Sequence, residues 1–181
     1  MPLILNNLIK FNNCLINIFY GRDYILAVIT GDATGRLMKY NPKSNLVTVL
    51  RKGLAFPNGV ALNTDNTFLI VAETTTCRLL RYWLQGPKTG TLELFAQLPG
   101  YPDNVKKNPK GEFWVALNRE KVNGRVDWDF EHPVGMRFSE NGEVLEVLDG
   151  RVWTSISEVQ EVNGTLWFGS VVMPYVGVYK N

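Results

Sequence analysis

One stretch of the sequence decides the fold: Asn58-Gly-Val-Ala-Leu-Asn-Thr-Asp-Asn-Thr-Phe-Leu-Ile-Val-Ala72. It is echoed 45 positions further on by Asp103-Asn-Val-Lys-Lys-Asn-Pro-Lys-Gly-Glu-Phe-Trp-Val-Ala-Leu117. Each copy contains a polar residue, a short strand, a turn and a hydrophobic strand, and a looser third copy runs from Glu158 to Ser170. A second hairpin is predicted after the first copy. Four strands in ~40–50 residues is the period of a β-propeller blade.

The rest of the chain agrees with an antiparallel all-β protein, because helix signals nearly vanish from Gly31 onward. Pairs such as Asn141-Gly142 and Asn163-Gly164 supply the positive φ angles of tight hairpins. Between such turns, short apolar or alternating runs predict strands at Leu37–Tyr40, Val47–Leu50, Gly59–Leu62, Phe68–Glu73, Arg78–Leu84, Leu92–Leu98, Asn104–Lys107, Phe113–Leu117, Gly135–Phe138, Val144–Leu148, Glu158–Val162, Leu166–Ser170 and Gly177–Tyr179.

The number of repeats predicts an incomplete ring. About three units fit in the chain, whereas propellers close from ~4–8 blades. We therefore expect a partial propeller of about three to four blades. Its open sheet faces and edges would need missing blades or a partner to cover them.

Composition narrows the class of protein. The 181 residues are 45% hydrophobic and 20% charged with a net charge of +2, as in a globular domain. The sequence has no basic cluster, so we expect no nucleic-acid partner.

Residues 1–23 form an atypical N-terminal segment, and the propeller is assigned to residues 24–181. The segment is too interrupted by Asn and Lys for a membrane span, and it makes a poor signal peptide. Cys14 and Cys77 could form one disulfide or remain buried thiols.

Asn58 and Asp103 are the candidate site residues. They hold the same position in successive repeats, at the start of the strand that lines a propeller's channel, so both should point toward one site. An amide oxygen with a carboxylate suits a hard cation such as Ca²⁺, which takes ~6–8 oxygen ligands. The alternative is that both are turn residues that cap strands.

Several long segments resemble plant strictosidine synthase-like proteins, between about Tyr24 and Tyr179. They are Gly31-Asp-Ala-Thr-Gly-Arg-Leu-Met-Lys-Tyr40, Gly53-Leu-Ala-Phe-Pro-Asn-Gly-Val60, Val71-Ala-Glu-Thr-Thr-Thr-Cys-Arg78, Arg81-Tyr-Trp-Leu-Gln-Gly-Pro-Lys-Thr-Gly90, Pro99-Gly-Tyr-Pro-Asp-Asn-Val105 and Gly111-Glu-Phe-Trp-Val-Ala116. The resemblance implies a six-bladed β-propeller, present here as its C-terminal blades, and kinship with calcium-dependent phosphotriesterases and gluconolactonases. It also implies the secretory pathway, with the endoplasmic reticulum or vacuole as destination.

The resemblance implies metal-ligand roles for Asn58 and Asp103, since metal-dependent relatives place an Asn before Gly and an Asp after Pro at these positions. Asn104 departs from the Gly that is common in the relatives. The leading interpretation is a metal-dependent hydrolase acting on a small ester, lactone or phosphoester, with Asp103 among its catalytic residues.

Glu158 is the second candidate catalytic residue. True strictosidine synthases resemble this chain, but their catalytic Glu aligns with Ser157, and the His two residues earlier aligns with Ser155. A one-residue shift turns a strand side chain to the opposite face, so Glu158 reaches the channel only if the strand is bulged. An ion-paired strand residue is the alternative. A lyase that condenses an amine with an aldehyde in alkaloid biosynthesis, and an inactive truncated propeller, remain alternative functions.

Other polar and aromatic residues have simpler interpretations. His132 lies in a charged loop and is read as a surface histidine, and Glu73 as a hydrogen-bonded structural carboxylate. Asn163 fits a glycosylation sequon, although the same residues also make a hairpin turn. The large rings of four tryptophans are predicted to pack between blades: Trp83, Trp114, Trp153 and Trp167.

Overall fold

The computed structural model describes residues 9–12, 23–120, 133–150, 155–171 and 173–180. In these ranges the chain forms one short helix, α1 (Asp23–Thr30), and four antiparallel sheets. The first sheet holds β1 (Ile9–Asn12), β2 (Gly35–Asn41) and β3 (Leu46–Leu54). The second holds β4 (Pro57–Leu62), β5 (Phe68–Glu73), β6 (Arg78–Trp83) and β7 (Leu92–Gln97). The third holds β8 (Gly100–Lys107), β9 (Phe113–Glu120), β10 (Pro133–Phe138) and β11 (Val144–Asp149), and the fourth holds β12 (Glu158–Val162), β13 (Thr165–Gly169) and β14 (Gly177–Lys180).

Strands follow chain order across each sheet, so each sheet is a meander of hairpins. Every strand predicted from the sequence is present, with ends that differ by a few residues. The short strand β1 falls within the atypical N-terminal segment and pairs with β2, with Ile9 opposite Lys39 and Asn12 opposite Arg36. The fold is a partial β-propeller, as the repeat predicted.

The sheets pack face to face and bury three layers of apolar side chains between them. Strand β5 shows why, because it is buried on both faces. Leu69 and Val71 join a cluster that reaches the first sheet, whereas Phe68 and Ile70 join the cluster shared with the third sheet. Alternation along a strand thus delivers its side chains to two neighbouring blades. The third and fourth sheets share a further cluster, which includes Trp114, Val159 and Phe168.

The first strands of the second, third and fourth sheets lie next to one another. Gly59 in β4 lies so close to β8 that an added Cβ would come 2.4 Å from the backbone nitrogen of Val105. On the other side of β8, the backbone N–H of Asn104 donates to the carbonyl oxygen of Ser157, which leads into β12. Strands β4, β8 and β12 are therefore the inner strands of three successive blades.

The two copies of the repeat share a β-bulge at the same place. The register of β4 against β5 shifts between Pro57 and Val60, and that of β8 against β9 shifts between Pro102 and Val105. The 45-residue offset therefore holds along the inner strands. On the second strands, Leu69 is opposite Leu62 as Phe113 is opposite Lys107, so the counterpart of Phe113 is Leu69 and not Phe68. The hairpin loop of the first copy is one residue longer, which hides this shift in the sequence.

The tryptophans divide between packed and exposed positions. Trp114 is buried, and the ring of Trp83 meets Phe68 edge to face at 5.3 Å. Trp167 packs between none of the described sheets, since 44% of it is exposed. Its strand sends Leu166 and Phe168 into the core, so Trp167 lies on the opposite face of the fourth sheet. Trp153 lies outside the described residues.

Candidate functional site

The inner strands bring together a cluster that we call the channel site: Asn58, Asp103, Lys106, Asn118 and Glu158. Asn58 and Asp103 each sit in the β-bulge of an inner strand. A bulge leaves one residue unpaired and re-aims its side chain, which is why bulges recur next to functional sites. The side chain of Asn58 lies near enough to the carboxyl group of Asp103 to lower its pKa. The two side chains that the sequence placed at one site are therefore neighbours.

Asp103 is a buried carboxyl group in a polar pocket, with 9% of the residue exposed. Its pKa is raised to about 6: burial is the main cause and the negative charge of Glu158 adds to it, whereas the hydrogen bond from Asn118 and the nearby Asn58 side chain oppose the rise. This carboxyl therefore titrates close to neutral pH. Raised carboxyl pKa values of this kind cluster at functional sites.

Asn118, which belongs to the channel site, and Ser155, which supports Asn118, were not among the residues that the sequence indicated. The side-chain amide of Asn118 donates to Asp103 Oδ2 at 3.0 Å, and its own carbonyl oxygen accepts from the Ser155 hydroxyl at 2.6 Å. This chain of hydrogen bonds fixes the orientation of the Asn118 amide. Asn118 directly follows the second copy of the repeat, so the signal was a polar residue just after a buried strand.

Glu158 reaches the channel site as an ion-paired residue. Its Oε2 lies 3.3 Å from Lys106 Nζ on β8, while Oε1 is buried and has no hydrogen-bond partner among the described residues. Burial raises the pKa of Glu158, and Lys106 acts in the opposite direction. Strand β12 pairs with β13 without a register shift, so the bulge on which the channel role depended is absent. Glu158 is ion-paired, as the alternative predicted, and its charge raises the pKa of Asp103.

Ser157 plays a backbone role at this point. Its carbonyl oxygen accepts from both the backbone N–H and the side-chain amide of Asn104, at 3.2 Å and 3.0 Å. Asn104 therefore ties β8 to the residue that precedes β12. The hydrogen bonds place Asn104 at the joint between two blades.

The remaining sequence predictions have separate outcomes. Glu73 is fully buried and accepts from Ala55, Thr76 and Arg78, so it is a structural carboxylate as predicted. Asn163 lies exposed at the β12–β13 turn with φ of 51°, and its glycosylation stays a prediction. Cys77 is buried. His132 and Cys14 lie outside the described residues.

The channel site suits a hard cation in its chemistry but supplies only part of a ligand set. It offers carboxylate oxygens from Asp103 and Glu158 and the amide oxygen of Asn58, which are donors that Ca²⁺ prefers. The buried, unpartnered Glu158 Oε1 is an oxygen for which such an ion would provide a partner. Within the described ranges, no cluster of three His, Cys, Asp or Glu side chains could hold a metal.

The sequence of the chain is similar to proteins of one plant family. The family profile described as strictosidine synthase matches residues 8–87. Protein STRICTOSIDINE SYNTHASE-LIKE 10 of Arabidopsis thaliana is 43% identical over 190 residues, which cover 89% of this chain and 51% of the relative. Protein STRICTOSIDINE SYNTHASE-LIKE 2 of the same plant is 40% identical over 230 residues, covering 99% of this chain and 61% of the relative. The chain therefore spans between about half and three-fifths of these relatives.

Solved structures with low sequence identity share the fold. A luciferin-regenerating enzyme superposes with a TM-score of 0.60 at 16% identity, over 76% of this chain and 44% of that one. A gluconolactonase from Xanthomonas campestris gives 0.59 at 17% identity, over 76% and 42%. The calcium-binding protein regucalcin from Agrobacterium tumefaciens gives 0.54 at 17% identity, over 78% and 46%. These solved structures show the fold alone, a β-propeller. The family profile and the Arabidopsis relatives show that the chain belongs to the strictosidine synthase-like family.

Proposed function

We propose that the channel site binds a divalent cation, Ca²⁺, and serves a hydrolase-type reaction on a small ester, lactone or phosphoester. One observation carries the proposal: the buried carboxyl of Asp103 accepts a hydrogen bond from the amide of Asn118 and lies beside the amide of Asn58 from the neighbouring blade. The gluconolactonase and the calcium-binding regucalcin that share the fold support the same class of chemistry.

Charge at the site favours a cation. When Asp103 and Glu158 are ionised, Lys106 neutralises one of the two negative charges, and its contact is with Glu158. Asp103 receives only neutral amide donors among the groups that act on its pKa, apart from the repulsion by Glu158. A divalent cation would relieve both the burial of the Asp103 charge and this repulsion.

Each residue of the channel site would have a distinct role. Asn58 and Asp103 would hold the ion, and Asn118 would orient the Asp103 carboxylate. Glu158, whose burial raises its pKa, would accept or return a proton near the substrate. When bound, Ca²⁺ supplies Lewis-acid polarisation of an ester or phosphoryl oxygen. We propose that residues outside this chain complete the ligand set, because Ca²⁺ takes ~6–8 oxygens.

Calcium titration tests the cation site. The midpoint temperature of thermal unfolding should rise by about 5–10 °C when the concentration of free Ca²⁺ exceeds the Kd of the site about 100-fold. Asp103→Ala should abolish this rise, whereas Asp65→Ala, in an exposed hairpin loop on the same sheet as Asn58, should keep it. An unfolding temperature that does not respond to Ca²⁺ in the wild-type chain would rule out the proposed site.

The proximity of Glu158 to Asp103 favours a second candidate function. In a strictosidine synthase-type lyase, Glu158 would act as the base in the condensation of an amine with an aldehyde, without a metal. Turnover of tryptamine and secologanin in the presence of a chelator, lost in Glu158→Gln and retained in Asp103→Asn, would support this candidate. The absence of turnover in the family's full-length protein as well would eliminate it.

The compartment and partners remain predictions. Within the described residues, helix α1 is too short to cross a membrane, and no other helix is present. We propose routing through the secretory pathway to the endoplasmic reticulum or vacuole, and a small-molecule substrate. Fractionation of plant cells that express the tagged full-length protein checks the compartment.

A further inference from the structure

The turn that joins β5 to β6 contacts the backbone next to both Asn58 and Asp103. Thr74, in this turn, is buried. Its backbone N–H donates to the carbonyl oxygen of Phe56 at 3.0 Å, two residues before Asn58. Its hydroxyl donates to the carbonyl oxygen of Pro102 at 2.7 Å, one residue before Asp103. Thr74 thus links the backbone segments that lead into Asn58 and into Asp103.

The backbone that Thr74 holds on the Asn58 side is strained. Phe56 has a φ of 53° and is buried, although a bulky residue rarely adopts the left-handed region. Such a conformation persists only when its surroundings enforce it. Here Glu73 Oε1 accepts from the backbone N–H of Ala55 at 2.7 Å, and Thr74 binds the carbonyl of Phe56 itself. Glu73 and Thr74 therefore hold the chain on both sides of the strained residue.

The contact on the Asp103 side depends on the side chain alone. Pro102 precedes the bulge of β8, and the Thr74 hydroxyl reaches it from a different sheet. In the β-bulge, the ladder hydrogen bonds are locally disrupted. A hydrogen bond from the neighbouring blade is therefore well placed to fix where the bulge begins.

We propose that Thr74 is a positioning residue that sets the spacing between Asn58 and Asp103 through its hydroxyl. The effect of Thr74 on the spacing between Asn58 and Asp103 does not depend on the proposed function, whereas its effect on cation binding rests on that function. Removing the hydroxyl should let the β8 bulge move relative to β4 and weaken the contact between the two side chains.

The adjacent Thr75 provides a matched control. It is buried to a similar extent, yet its hydroxyl has no hydrogen-bond partner in the part of the chain that the structure describes. Thr75→Val therefore makes the same chemical change one residue away without removing a hydrogen bond. Thr74→Val removes the bond to Pro102 and keeps the backbone bond to Phe56, while Thr74→Ser keeps both.

The experiment compares these three variants with the wild-type chain. In metal-free protein, NMR spectra should show shifted side-chain amide signals of Asn58 and Asn118 in Thr74→Val and unchanged signals in Thr74→Ser and Thr75→Val. Calcium titration should show about tenfold weaker binding in Thr74→Val, the scale expected from losing one hydrogen bond. Binding in Thr74→Ser and Thr75→Val should stay close to wild type.

Two results would overturn the proposal. One is that the Asn58 and Asn118 signals of Thr74→Val match the wild type, and the other is that Thr75→Val changes them as strongly. If Thr74→Val does not fold, Thr74→Ala takes its place and the same comparison with Thr74→Ser applies. The metal-free spectra test the positioning role even when the wild-type chain binds no Ca²⁺, so failure of the proposed function is a separate outcome.

Discussion

At the scale of single residues, Asp103 shows how opposing forces define the channel site. Burial favours its protonated form, and the charge of Glu158 adds to that preference. The amide of Asn118, which donates a hydrogen bond, and the nearby amide of Asn58 favour the ionised form. The balance leaves a carboxyl with a pKa of about 6, which folding holds above its unfolded value. An ionised Asp103 therefore lowers the stability of the cation-free fold.

The pH dependence of stability follows from the rise of the Asp103 pKa on folding. Below pH ~4, Asp103 is protonated in both states, and as pH rises to ~6 only the unfolded state ionises. The free energy of unfolding of the wild-type chain, relative to that of Asp103→Asn, should therefore fall by up to about 3 kcal/mol over this window and stay level above it. Urea unfolding in a chelator at several pH values measures this difference. A difference that does not change with pH would mean that the Asp103 pKa is not raised.

At the scale of elements, the close approach of β4 and β8 holds Asn58 and Asp103 together. Gly59 makes it possible, since a Cβ there would lie 2.4 Å from Val105 nitrogen and 2.7 Å from the carbonyl oxygen of Asp103. These are backbone atoms of a paired strand and cannot rotate away. The glycine is therefore required by packing between blades and not by its own φ angle.

Gly59→Ala should separate the two inner strands. We expect a loss of about 1–3 kcal/mol in the free energy of unfolding, typical of overpacking, together with a weakened response to Ca²⁺. Gly135→Ala is the control: its added Cβ would meet side-chain atoms of Leu148 and Val159 at 3.2 Å and 3.3 Å, which can adjust. Chemical unfolding of both variants measures the difference. Equal losses in the two would contradict a special role for the β4–β8 approach.

At the scale of the whole molecule, the fourth sheet exposes apolar side chains on the face turned away from the core. Trp167 and Val178 are cross-strand neighbours, and each is nearly half exposed. On the first sheet, Leu46 and Val47 are more exposed still. Exposed large apolar side chains that neighbour one another, as Trp167 and Val178 do, are typical of an interaction face. We propose that further blades or a partner cover these faces.

The isolated chain should therefore associate with itself as its concentration rises. Sedimentation velocity should show larger species that diminish in the double variant Trp167→Thr with Val178→Thr. The control is Val144→Thr with Val147→Thr, which alters two similarly exposed valines on the outer strand of the third sheet. A monomeric wild-type chain, or equal effects of the two double variants, would speak against the fourth sheet as an interaction face.

The sequence alone determined the strands and the blade period, and it placed Asn58 and Asp103 at the same position of successive repeats. Alternating hydrophobicity, turn residues and a repeat are local signals, so they can be recognised in the sequence without knowledge of distant contacts. The sequence also favoured a structural role for Glu73, and the structure confirms it through hydrogen bonds from Ala55, Thr76 and Arg78.

Only the tertiary structure decided which groups surround those two residues. The Asn118 amide, the nearness of Glu158 and the reach of Thr74 to Pro102 all depend on how neighbouring blades stack. The exposure of Trp167 also depends on how the sheets stack, because the alternation of residues along a strand is the same whether its face is buried or open. Local patterns state which side of a strand a residue occupies, but the packing of whole sheets decides what lies opposite.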